Sequence, residues 1–177
     1  MLARMMGAAR LNVATFEDVE SDSSATMQAM MVVIIVSIAG GIGGILTSGI
    51  WGLVFGLISG LIQWALWALV TFLVGTTILK TPETHADWGQ LARTTGFAQT
   101  PGLFKVFGFV PAVGPIIVLI ASIWQFAAMV TAVRQALDYQ STWRAVGVVV
   151  IGFLIIAIPL GIVGMLIASA TGAASGG

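Results

Sequence analysis

No cysteine occurs in the 177 residues, so disulfides, thiol catalysis and cysteine-based metal sites are excluded. Charge is almost as scarce. Seven basic and seven acidic residues cancel, and only 8% of the chain is charged. Nucleic-acid binding needs a clustered positive excess, so no nucleic-acid partner is expected. The single histidine, His85, stands in a polar stretch with no second ligand type beside it. There is no pairing of nucleophile with base, no carboxylate dyad, no phosphate loop and no metal constellation. The chain therefore reads as non-enzymatic, with no cofactor and no metal.

What remains is apolar: 58% of the residues are hydrophobic. A water-soluble domain of this size would lack the polar surface to cover them, so the composition is that of an integral membrane protein. The N-terminus does not read as a cleavable signal peptide. Arg4 and Arg10 precede an acidic stretch (Glu17, Asp18, Glu20, Asp22), and the first long apolar run begins only near Met27. Residues 1–26 are read as a cytoplasmic lead-in. Its first part is weakly amphipathic, with Arg4 and Arg10 suited to headgroups. Its acidic part is a solvated linker in which Asp22, Ser23 or Ser24 caps the next helix.

Between Asp22 and Lys80 there is no charged residue. One crossing takes ~20 residues, so this gap holds two, at about 27–47 and 52–79, divided at "TSGIWG". Gly40 and Gly44 on the first, and Gly52, Gly56 and Gly60 on the second, recur every fourth residue. That spacing lets helices approach closely in lipid. "GGIGG" lies inside an apolar span with no strand before it, so it is not a dinucleotide fingerprint. Residues 80–96 form a polar loop that ends in a short interfacial helix, with Trp88 at headgroup level. Clear spans follow at about 113–133 and 145–170, the last kinked at Pro159. The link between them carries Tyr139 and Trp143 as interface anchors, and 171–177 is a flexible tail.

The segment "TPGLFKVFGFVPAVGP" (100–115) decides the topology. If it does not cross, Arg134 and Arg144 fall opposite Arg4, Arg10, Lys80 and Arg93. If 95–110 does cross, every charged residue except Lys105 shares one side, as the positive-inside bias favours. The expected fold is therefore all-α, a polytopic transmembrane bundle of five spans with a short, proline-broken third. At 1.5 Å per residue that third span is only ~24 Å long. A re-entrant hairpin would leave the arginine distribution unexplained. The N-terminus is placed in the cytoplasm and the C-terminus on the opposite side.

The order of "RLNVATFEDVESD", "LARTTGFAQTPGLF", "VPAVGPI" and "IASIWQFAAMVTAVRQAL" resembles the Yip family of small multispan membrane proteins, above all its bacterial members. The resemblance runs from about residue 10 to 168. It implies five spans, a cytoplasmic N-terminus and, for a bacterial member, the inner membrane. The family takes its name from interaction with Ypt/Rab GTPases, but this chain lacks the long cytoplasmic N-terminal region of the eukaryotic members, so that role does not transfer.

Lys105 is the one charge inside an expected span, suited to lipid, to a partner's carboxylate or to a polar path. Alternatively its long stem snorkels to the nearer interface. Gln63 and Gln125 are expected to hydrogen-bond between helices. Trp64, Trp67 and Trp124 lie too deep for an interface belt and suit packing between spans or against a partner. The expected function is contact with lipids, with other integral membrane proteins or with a second copy, as a scaffold or accessory subunit. The alternative is a small transporter or channel using the broken span and Lys105. A lipid-organising role is a third reading.

Overall fold

The computed structural model describes residues 1–175, and every regular element among them is helical. Two short helices, α1 (Leu2–Ala9) and α2 (Val13–Ser21), form an N-terminal hairpin. Its turn passes through Leu11 at positive φ, and Asn12 caps α2 by accepting from the Thr15 amide. Arg4 pairs with Asp18 at 2.7 Å and Asp22 at 2.8 Å, so it closes the hairpin rather than facing headgroups. Met5, Ala8, Phe16 and Val19 turn inward and are buried.

Asp22 accepts from the amide and hydroxyl of Ser24, and α3 (Ala25–Gly43) follows. It is uncharged throughout and stops at Gly44. The chain re-enters helix at once as α4 (Ile45–Leu73), broken internally at Gly49, where φ is +60° and ψ −168°. A side chain would be strained there, so glycine is what permits the bend. The reversal expected at 47–52 is thus divided between Gly44 and Gly49. A π turn, Val74–Ile78, extends α4.

The stretch expected as a third α-helical span is wound in two ways. α5 (Trp88–Phe97) starts with a reciprocal cap: Asp87 accepts from the Gln90 amide while Gln90 accepts from the Asp87 amide. After a brief junction, Thr100–Phe109 forms a 3₁₀ helix with Pro101 in its first turn. The chain then turns through Ala112, at φ +64°, into α6 (Gly114–Ala136) and finally α7 (Thr142–Ser175), with Pro159 inside the helix. Residues 171–175 of the expected tail belong to α7, and its last two residues, 176 and 177, lie outside the described residues.

Among the described residues, four helices are long and apolar enough to cross a membrane: Ala25–Gly43, Ser48–Ile78, Gly114–Ala136 and Thr142–Leu166. α3 and α4 are antiparallel neighbours, with Leu53 against Gly41 and Ser37 against Gly60. α7 meets the end of α4 near its own start, with Leu79 by Gly147 and Thr71 by Gly152. Beyond Gly152, most of α7 is exposed as far as Leu166.

The α5–3₁₀ segment runs lengthwise against α3. A Cβ on Gly96 would stand 2.8 Å from the Ala29 methyl, and one on Gly102 would stand 2.7 Å from Val36. A Cβ on Gly108 would stand 3.1 Å from the carbonyl oxygen of Gly43. Six residues of this segment therefore match seven of α3. A 3₁₀ helix rises ~2.0 Å per residue against ~1.5 Å for α, so the two spacings cover nearly the same length.

Candidate functional site

Three residues per turn puts Gly102, Lys105 and Gly108 on one face of the 3₁₀ helix, the face turned toward α3 and α6. Phe104 and Phe107 share another face and are exposed. Lys105 is thus carried inward with the two glycines. Its amine turns away from the Pro111 end and donates to Gln125 Oε1 at 2.7 Å, and Gln125 Nε2 in turn donates to Gln99 Oε1. Gln125 lies midway along α6, so the ammonium is held at mid-bundle instead of snorkelling to the nearer end.

Lys105 borders an open-sided cavity of about 610 Å³ lined by residues of α3, α4, α6, α7 and the 3₁₀ helix. Its polar wall comprises Ser37, Gln63, Gln99, Lys105, Ser122 and Gln125. Phe126, Met129, Val149 and Phe153 supply apolar wall, and Phe126 and Phe153 are themselves exposed. The divergence of α7 from α4 accounts for the opening. Trp67 also lines the cavity, and its buried indole N–H has no hydrogen-bond partner. No acidic residue borders the cavity, since all seven belong to the N-terminal hairpin and the segments joining the long helices.

The other residues singled out in the sequence are dispersed. Gly60 lies against Ser37, and a Cβ on Gly52 would meet Ser48 one turn earlier on its own helix. A Cβ on Gly40 or Gly56 would meet nothing within 4 Å; Gly40 borders the cavity, while Gly44 forms the α3–α4 junction. Gly43, Gly96, Gly102 and Gly108 also stand at close approaches between elements, and the four-residue spacing did not pick them out. Trp64 is buried and donates to the Ala92 carbonyl at 2.9 Å. Trp124 donates to the Ala9 carbonyl at 2.7 Å and stacks on Phe104 with centroids 5.6 Å apart, which ties the N-terminal hairpin to the bundle. His85 is exposed, and among the described residues no group of three His, Cys, Asp or Glu side chains converges.

At the polar end two residues do more than the sequence suggested. Arg93 is buried and donates to the carbonyls of Val19 at 3.2 Å and Glu20 at 2.6 Å, fastening α2 to α5. Tyr139, expected as an interface anchor, is buried, with its hydroxyl 2.9 Å from the carbonyls of both Gly75 and Leu79. The π turn changes the helical bonding there, and the phenol reaches carbonyls at both of its ends. Burial of Glu20, with the nearby Asp138 adding to the effect, raises its carboxyl to about 7.

The fold and cavity are compatible with a helical integral membrane protein. No protein-family model, curated protein or solved structure matches the chain.

Proposed function

We propose that the chain is a non-enzymatic integral membrane protein with five crossings, acting as a scaffold or accessory subunit through contacts with lipids and other membrane helices. The observation that carries this reading is the apolar surface left uncovered along α4 and distal α7. Trp51 is 70% exposed, Phe55 67%, Leu160 64% and Met165 76%. Surfaces of this kind are satisfied by acyl chains or by a neighbouring helix. The pairing of Gly96, Gly102 and Gly108 with Ala29, Val36 and Gly43 supports treating 95–110 as the third crossing, since it keeps pace with α3 along its length. The resemblance to bacterial Yip proteins agrees with that count, and with an inner-membrane location and a cytoplasmic N-terminus. Native mass spectrometry after extraction in a mild detergent is the test. A stable partner or self-association is expected, and a chain that always ran alone would contradict the reading.

The Lys105 cavity favours a second reading, that of a small transporter or channel. Non-helical or broken segments beside a polar cavity are where transport sites are built. Liposomes containing the protein should then show a flux that Lys105→Ala alters. Flux equal to that of empty liposomes removes this reading.

A further inference from the structure

We infer that the cavity binds a single-chain fatty carboxylate, with its carboxylate on Lys105 and its acyl chain on the apolar wall. The inference rests on the membrane-embedded placement of the cavity proposed above, and it adds a ligand. The Lys105 ammonium has three hydrogens, one of which goes to Gln125 Oε1. No acidic side chain borders the cavity, so the cation has no internal counter-charge. Lys105 is half-buried with a neutral acceptor only, and an anion beside a partly desolvated cation relieves the cost of removing it from water. Trp67 borders the same cavity, although its indole N–H is itself buried away from the open space. The ammonium brings positive charge and further donor hydrogens to an acid-free wall, so the complementary group is an oxyanion.

The rest of the cavity selects the tail. Its volume, about 610 Å³, falls in the ~300–1,000 Å³ range of small-molecule sites. Phe126, Val150 and Phe153 are exposed at its margin, giving an apolar exit continuous with the outer surface of the bundle. Depth argues against a diacyl phospholipid. Gln125 is eleven residues from either end of α6, roughly 16 Å along the helix, whereas a phospholipid head group stays at the interface. A single chain carries one small anionic group and can bring it to that level.

The test uses the full chain in zwitterionic phosphatidylcholine discs, titrated with stearate brominated at mid-chain, at a pH that keeps the carboxylate ionised. Bromine quenches nearby tryptophan, and Trp67 is in the cavity wall. Quenching is expected to saturate for the natural chain. For Lys105→Met it should require at least about tenfold more probe, in line with the loss of a charge-assisted contact. Lys105→Arg should retain binding. Gly40→Leu, placed where a Cβ meets nothing within 4 Å, should fill the cavity and abolish saturation while leaving Lys105 in place. The brominated methyl ester should not saturate. Equal titration of the natural chain and Lys105→Met, or binding of the ester as tight as the acid, overturns the inference. Brominated phosphatidylglycerol quenching with the same Lys105 dependence would assign the site to a bilayer phospholipid and also overturn it. Protein that enters the discs but shows no saturable quenching defeats the ligand assignment alone, whereas failure to enter discs defeats the membrane reading.

Discussion

Gly96 and Gly56 both lie inside helices, yet their surroundings give substitution opposite consequences. Alanine in place of helical glycine gains about 0.5–1 kcal/mol from backbone entropy. At Gly56 nothing within 4 Å opposes that gain, so Gly56→Ala should leave the unfolding midpoint unchanged or raise it. At Gly96 the added methyl would stand 2.8 Å from the Cβ of Ala29 and 3.3 Å from its Cα, neither of which can rotate away. Overpacking costs about 1–3 kcal/mol, so the clash outweighs propensity and Gly96→Ala should lower the midpoint. Thermal unfolding in one detergent compares the two directly. Glu20 gives a pH test at the same scale. Its carboxyl, raised from 4.5 to about 7, keeps in the native state a proton that the unfolded chain releases. Stability should therefore fall as pH rises from about 4.5 to about 7, and level off above. Asp138, Glu17 and Asp87 oppose ionisation, while Arg93 favours it. Glu20→Gln should flatten the unfolding midpoint across that window, and an unchanged pH slope would remove Glu20 as its source.

The elements differ in how much of them could be read in advance. The apolar runs of α3, α4, α6 and α7 announced themselves, because hydrocarbon-length uncharged segments have few other uses. Their ends were less legible. α3 stops at Gly44 and α4 bends at Gly49, and both positions lie within a string of small residues that the sequence does not rank. The 3₁₀ winding of Thr100–Phe109 was hidden for a different reason. Its signal is the period of three in Gly102, Lys105 and Gly108, with Phe104 and Phe107 on a second face, whereas an α-helical period scatters these positions. Assigning 1.5 Å per residue also made the segment look too short. The inward direction of Lys105 follows from the same winding, so the candidate cavity could not be assembled without it. Arg93 was visible only as a loop charge, since its partners are backbone carbonyls of α2, which sequence pattern does not identify. Arg93→Met should release that element. Hydrogen–deuterium exchange is expected to rise across Val13–Ser21 while the centre of α6 stays protected, and unchanged protection of α2 would show that the two hydrogen bonds do not hold it.

At the scale of the whole molecule, charge and packing point the same way. Apart from Lys105, every charged residue lies in the N-terminal hairpin, in 80–93 or in 134–144. The folded chain joins these three regions through Arg93 to Val19 and Glu20, Gln135 to Glu17, and Arg144 to Leu79 and Lys80. That convergence is what an even number of crossings between Lys80 and Arg134, the third span and α6, gives a chain that keeps its arginines on one side. The central proposal is therefore that 95–110 carries the chain across the membrane. Because the protein has no native cysteine, one introduced thiol reports one position. His85→Cys and Ala112→Cys, both at exposed positions flanking the segment, should be labelled by a membrane-impermeant maleimide from opposite sides of oriented vesicles. Labelling of both from the same side would contradict the account.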